Sequence, residues 1–229
     1  MQDLILQEQF EIEVLDILNS GRFLNKLIFL GGTMLRLCFG MNRFSVDLDF
    51  WLVQGVNASE LFKSLKAYLK QFYELKDSAL KFYTLLFELK NKNYPRSLKI
   101  EIRKEPEKIK TEQAIAYSKY SSKQVLVNIV SLEDMMRAKI DALLDRKEIR
   151  DAFDIEFLYR RGIGLNGDSK KLKKVLRVID SFSRKDYSVK LASLLEDKER
   201  KYYLEDNFKI LKLAIKSMIG NSGKPLATS

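Results

Sequence analysis

The stretch GGTMLRLCFGMNRFSVDLDFWL, residues 31–52, holds two features that rarely stand so close. Gly31 and Gly32 follow a short apolar run, KLIFL (26–30), and precede a helix-like segment, TMLRLCFG, that ends at Gly40. A buried strand that breaks into a glycine turn and then opens a short helix leaves backbone N–H groups exposed, with the Thr33 hydroxyl beside them. Such a cradle suits a phosphate. It is neither a Walker motif, since no G-K-[ST] follows, nor a dinucleotide fingerprint, since the G-x-G-x-x-G spacing is absent. Further on, SVDLDFWL (45–52) alternates as a strand, with Asp47 and Asp49 on one face and Val46, Leu48 and Phe50 on the other. Two carboxylates so placed repel each other, and a hard divalent cation such as magnesium lets both stay ionised.

A third carboxylate occurs in the same style. In KIEI (99–102) Glu101 lies on one face, with Ile100 and Ile102 on the other. If this strand neighbours that of Asp47 and Asp49, three carboxylates share a site of the kind used for two-metal phosphoryl transfer. The plainer alternative is a solvent-facing row of charges, because Lys99 and Arg103 share the face of Glu101 and D-x-D arises readily by chance. The glycine cradle ahead of the acids favours the first alternative. It would fix the phosphates of a nucleoside triphosphate while the metal bridges them, which is what nucleotidyl transfer requires.

Composition narrows the chemistry. The 229 residues contain no histidine and one cysteine, Cys38. Nucleophile–histidine pairs, imidazole metal sites, cysteine-based zinc sites and internal disulfides are therefore excluded. A free, buried thiol fits a reducing cytoplasm. The N-terminal segment MQDLILQEQFEIEVLDILN carries acids within its apolar pattern, which reads as a helix over about 4–17 rather than a signal peptide. No run of about 18 apolar residues is present to span a membrane. The net charge is +10 and falls mainly on the C-terminal part, where residues 164–229 hold 15 Lys and Arg against 8 Asp and Glu. That excess points to a polyanion or simply to solvated helix faces.

The expected organisation is α+β: an α/β lobe over residues 1–128, with a mixed sheet flanked by helices, then a helical and basic lobe over 129–229. Within the first, a helix follows from Ala58 to about Tyr73. LKFYTLLFEL (80–89) and SLKIEIRK (97–104) read as neighbouring strands joined through Asn91–Pro95. In the second, Ser131 opens a helix whose apolar stripe of Leu132, Met135, Met136, Ile140 and Leu143 includes Lys139. A lysine there either snorkels outward or meets an anion. Helices are expected over 149–160, 170–182, 188–196 and 199–218, with the last ten residues frayed.

With these residues in view, GGTMLRL…NRFSVDLDF resembles the nucleotide-binding core of the AbiEii/AbiGii toxins, MenT-like enzymes among them. These are minimal nucleotidyltransferases of the DNA polymerase β superfamily. Their pattern is a hydrophobic residue, Gly, then Gly or Ser, a spacer, and alternating acids on a strand. Thr33 replaces the usual serine and keeps the hydroxyl. The likeness runs over about residues 25–160 and takes in Arg36, Arg43 and Ser45. It implies a magnesium-dependent enzyme, with a two-metal site, that moves a nucleoside monophosphate from an NTP to an acceptor hydroxyl. Asp47, Asp49 and Glu101 would hold metal, and Gly31, Gly32, Thr33, Arg36, Arg43 and Ser45 would form the nucleotide site, although Arg36 could equally anchor the short helix. The resemblance also implies that Lys139 contacts the triphosphate. Asp154, 15 residues on in the R-D-x-x-D string of Arg150, Asp151 and Asp154, would help position the nucleotide or the acceptor; otherwise Arg150 and Asp154 form a surface i,i+4 pair. It further implies a toxin of a toxin–antitoxin system, with RNA, above all the tRNA 3′ end, as acceptor and a cognate antitoxin as partner. Lys170, Lys171, Lys173, Lys174 and Arg177 are candidates for RNA contact, and Tyr187, Tyr202 and Tyr203 for base stacking or helix packing. A small-molecule or protein hydroxyl as acceptor, or a non-catalytic RNA- or partner-binding module on the same fold, remain as alternatives.

Overall fold

The computed structural model describes residues 1–104 and 109–221. The expected fraying of the last ten residues falls mostly on 222–229, outside the described residues. The chain divides into two compact units, Met1–Ser131 and Leu132–Ser229. The boundary expected after residue 128 lies inside the last strand of the first unit.

In the first unit, α1 (Gln2–Ser20) leads through a 3₁₀ turn into β1 (Leu27–Leu30), α2 (Gly31–Phe39), β2 (Asp47–Leu52) and α3 (Ala58–Leu69). Then come β3 (Glu74–Leu80), β4 (Thr84–Lys90), β5 (Leu98–Arg103), β6 (Thr111–Tyr117) and β7 (Gln124–Val130). The strands form a mixed seven-stranded sheet in the order β3-β4-β5-β2-β1-β7-β6. β2 lies parallel to β5 and antiparallel to β1. Leu48, Phe50, Ile100 and Ile102 on one face of β2 and β5 are buried, as their alternation demands.

Three strands depart from expectation. The segment read as one strand over 80–89 is a hairpin whose β3 begins at Glu74, and β6 with β7 was not anticipated. β3 and β6 are edge strands of polar composition (ELKDSAL and TEQAIAY), so they lack the two-residue alternation of a half-buried strand.

The second unit is helical, with α4 (Leu132–Arg146), α5 (Ile149–Arg160), α6 (Ser169–Asp180), α7 (Asp197–Asp206) and α8 (Lys209–Asn221). A single helix over 199–218 was expected. It is broken at Asn207 and Phe208, whose φ angles of 48° and 59° place both in the left-handed region. Asn tolerates that region, and Phe208 is fully buried against Tyr187 and Tyr203. The expected helix over 188–196 is one π-helical turn, Asp186–Leu191, followed by a 3₁₀ turn.

Candidate active site

The parallel register of β2 and β5 sets Asp49 opposite Glu101 and Asp47 opposite Lys99. Residues two apart on a strand share a face, so Asp47, Asp49 and Glu101 lie on one side of adjacent strands. All three are half-buried. The next strand, β4, adds Glu88 opposite Lys99, so a charged row Glu88–Lys99–Asp47 crosses three strands beside the Glu101–Asp49 row. Among the described residues no group of three or more acids is gathered closely enough to hold a metal ion. The register brings the three carboxylates to one face without closing them into a finished cage. As a donor set of hard, partly shielded carboxylates they fit magnesium in kind.

Both glycines are shaped by this site. Gly31 has φ +86°, which disfavours any side chain, and a Cβ there would stand 2.6 Å from Asp49 Oδ2. A Cβ at Gly32 would meet Arg43 Nη2 at 2.5 Å and Ser45 Oγ at 2.9 Å. The N-terminus of α2 thus abuts Asp49 directly, with no side-chain cap from Leu30, and its dipole favours negative charge there. Arg43 is buried and donates to the Phe44 carbonyl at 3.0 Å. Gly31, Gly32, Arg43 and Ser45 therefore pack as one group beside Asp49.

Two members of the expected nucleotide set have other work. The Thr33 hydroxyl is buried and donates to the Asp47 carbonyl at 2.5 Å. Its one proton is spent on the strand that carries the acids, and its remaining lone pairs are of no use to a phosphate. Arg36 is buried, bonds Glu8 through Nε and the Met41 carbonyl at 2.9 Å, and lies 3.8 Å over the Phe44 ring. It anchors α2 to α1 and to the loop beyond.

The sequence reading missed the polar face of α1. Gln7, Glu8 and Glu11 are all buried. Gln7 Nε2 donates to the Val46 carbonyl at 3.2 Å and the Ser97 carbonyl at 3.5 Å, the residues that lead into β2 and β5. One carboxamide thus ties together the entries of both acid-bearing strands. Glu8 also accepts from the Ser118 hydroxyl at 2.6 Å. Both Glu11 oxygens are buried without a hydrogen-bond partner. Burial, and then the charges of Glu8 and Asp47, hold this carboxyl well above the ordinary range against the opposing pull of Arg36. The signal was present, since these acids interrupt the apolar pattern of α1.

In the second unit, Lys139 neither snorkels nor stands alone. Its ammonium lies 2.6 Å from Asp154 and 3.5 Å from Asp151, and both aspartates are fully buried. Arg146, in the last turn of α4, grips Asp151 through Nε at 2.6 Å and Nη2 at 2.5 Å. The structure therefore joins Lys139 and Asp154 directly, while Arg150 is exposed. The expected alternative, a surface Arg150–Asp154 pair, does not occur because Asp154 faces α4. Glu156 on the same helix is also buried, where it meets Arg160 at 2.9 Å, Tyr203 at 3.5 Å and the Leu211 amide at 3.3 Å. Tyr187 and Tyr203 are core residues closed to any base. Tyr202 accepts from the Ile210 amide at 3.1 Å and lies under Arg160, 4.6 Å from its ring centre.

Among the described residues no helix is long and apolar enough to cross a membrane. Cys38 is half-buried, and burial pushes its thiol up to about 12.

Comparison with known proteins agrees with this architecture. A crystal structure of a candidate nucleotidyltransferase from H. pylori shares 21% identity and a TM-score of 0.57, covering 91% of this chain and 96% of that one. JHP933 from Helicobacter pylori shares 21% identity and a TM-score of 0.51, over 86% of this chain and 88% of that one. At such identity the likeness is one of fold. No curated protein matches the sequence. The family model described as nucleotidyl transferase AbiEii toxin, type IV toxin–antitoxin system, matches residues 14–215. A match over most of the length makes the chain a nucleotidyltransferase that belongs to the AbiEii toxin family.

Proposed function

We propose that the chain transfers a nucleoside monophosphate from an NTP to a hydroxyl of an RNA acceptor, breaking the α–β phosphoanhydride bond and releasing pyrophosphate, with the tRNA 3′ end as first candidate, as the toxin of a pair whose antitoxin restrains it. The observation that carries the catalytic part is the β2–β5 register, which sets Glu101 beside Asp49, with Asp47 on the same face and the Gly31 turn against them. Asp47 and Asp49, with Glu101, would hold magnesium, which when bound neutralises the triphosphate and lowers the pKa of the acceptor hydroxyl. The amides of Gly31 and Gly32 orient phosphate oxygens at the start of α2, and Thr33 keeps Asp47 in place through its carbonyl. Arg43 and Ser45, packed on Gly32, border that cradle. Glu101 is the group assigned to receive the acceptor proton, since no histidine exists to do so. Lys139 is assigned to the triphosphate, with Asp154 holding its ammonium in one rotamer. Arg36 is a scaffold residue for this reading rather than a ligand. The net charge of +10 supports a polyanionic acceptor.

The test is incubation of the full chain with each α-labelled NTP, magnesium and total RNA. Label is expected in the tRNA band, and Asp49→Ala should reduce it by more than about 100-fold, beyond what loss of an outer-shell group causes. Label on protein or on a small molecule instead would reject the RNA acceptor. No transfer to any acceptor class would reject the assignment of these residues.

A further inference from the structure

α6 is strongly two-faced. Leu172, Val175 and Ile179 are buried, while Lys170, Lys173, Lys174 and Arg177 are exposed. Those four cations sit at i, i+3, i+4 and i+7, so they form one row along the helix and each is a repulsive neighbour of two others. They line a surface depression with Ser169. Acids of the same unit are at hand, yet they serve elsewhere. Asp141 pairs with Lys171 at 2.6 Å and Asp180 with Lys212 at 2.8 Å, while Asp168 caps α6 by accepting from the Lys171 amide at 2.6 Å. Among the described residues no ion pair neutralises Lys170, Lys173, Lys174 or Arg177. Lys171, expected to act with them, belongs to the packing of α6 on α4.

From this arrangement we infer that the Lys170–Lys173–Lys174–Arg177 row is a binding site for the sugar–phosphate backbone of a single-stranded polynucleotide. The inference rests on the RNA-acceptor reading and deepens it. The row extends about 10 Å at 1.5 Å per helical residue, which spans roughly three phosphates at about 3.4 Å each along a stacked strand. It carries no aromatic or amide side chain that could read a base, so it supplies affinity and register without sequence choice. Selection of the acceptor must then lie elsewhere in the chain.

The experiment is fluorescence anisotropy of a labelled oligouridylate of about 12 nucleotides, titrated with the full chain in the absence of NTP. With about three phosphates neutralised on a single strand, affinity should fall roughly 20-fold between 50 and 200 mM salt. Lys170→Glu with Lys174→Glu should weaken binding at least about ten-fold at the lower salt and flatten the slope by about 0.7 per lost contact. The milder Lys170→Gln with Lys174→Gln should fall between, and a thermal melt confirms that each variant is folded. Lys63→Glu with Lys70→Glu, on exposed positions of α3 and its C-cap, changes net charge equally and should leave the slope intact. Equal losses in the α3 and α6 pairs would overturn the inference, because net charge alone would then act. So would an α6 variant that binds as tightly and with the same slope, or a wild-type chain that binds phosphatidylserine vesicles but not the oligonucleotide. A chain that binds the oligonucleotide but transfers no label upholds the row and rejects only the catalytic reading. Label transfer to RNA without oligonucleotide binding does the reverse.

Discussion

Within the first unit, α1 presents Glu8 and Glu11 to Arg36; within the second, Lys139 and Arg146 of α4 meet Asp154 and Asp151 of α5 one for one. Both clusters are buried, but they balance differently. Charges that leave water need partners, or they must neutralise by gaining or losing a proton. The α4–α5 cluster has two cations and two anions, paired within salt-bridge distance of one another. The α1 cluster has an acid too many, so Glu11 is held in its protonated form at the pH where other carboxyls are ionised. Balance is thus reached by pairing in one unit and by proton uptake in the other.

The largest effect should come from breaking the paired cluster. Asp154→Ala leaves the Lys139 ammonium buried beside an Asp151 that Arg146 already holds bidentately. A buried charge stripped of its partner costs about 3–5 kcal/mol, which a urea titration at pH 7 will read directly. Combining Asp154→Leu with Lys139→Met removes both charges together, and most of that loss should be recovered. A double variant as unstable as the single one would show that packing, and not pairing, dominates there.

The unbalanced cluster should respond to pH instead. A folded pKa raised above the unfolded one contributes stability that is fully present at low pH and is lost as pH rises through the folded value. Glu11→Gln does not titrate. It should therefore match the wild-type pH dependence below about pH 4 and gain on it by up to about 1.4 kcal/mol per pH unit above that, until the folded pKa of Glu11 is passed. Urea midpoints at pH 4 and pH 8 separate the cases. A difference that stays constant across that range would mean Glu11 titrates in the folded chain as it does in the unfolded one, and the contrast between the clusters would collapse.

Gln7 tests whether the polar face of α1 serves the acids above it. Gln7→Leu removes the donor shared by Val46 and Ser97 but also an unpartnered buried oxygen, so stability should fall by only about 1 kcal/mol. If the carboxamide holds β2 and β5 in register for transfer, the rate should drop by about ten-fold with the NTP KM little changed, because a small misplacement of reacting groups is costly. A rate that merely tracks the loss of folded protein would reduce Gln7 to a packing residue.

The site was more legible than its supports. Asp47, Asp49 and Glu101 by themselves read equally well as a solvent-facing row of charges, and what singled them out was the glycine pair ahead of them, because two glycines together after a strand demand a turn. The neighbouring relation of β2 and β5 needed the fold, since 45 residues lie between Leu52 at the end of β2 and Leu98 at the start of β5, and β3 and β4 intervene. The α1 acids were visible but mute: Glu8 and Glu11 look the same in sequence whether they face water or Arg36. Thr33 was read by residue type as a ligand of phosphate and Arg36 as either a ligand or an anchor of the short helix; their buried partners give both a structural task. For Lys139 the sequence left snorkelling or an anion open; the structure pairs its ammonium with Asp154 of its own chain. Edge strands β3 and β6 were missed for a different reason, because one unpaired edge lets polar residues occupy both faces.

The smallest predicted effect sharpens the comparison at a single motif. In R-D-x-x-D the two aspartates are fully buried and paired across to α4, whereas Arg150 points away and is exposed. Arg150→Ala should change stability by less than about 0.5 kcal/mol, as surface substitutions away from special features do. Arg146→Ala, four residues earlier and outside the motif, removes two charged hydrogen bonds from Asp151 and should cost about 1.5–3 kcal/mol. Comparing the two urea midpoints asks whether the motif arginine or the α4 arginine neutralises the buried acid. If Arg150→Ala proved the more damaging, the charge balance assigned to the α4–α5 cluster would have the wrong cation in it.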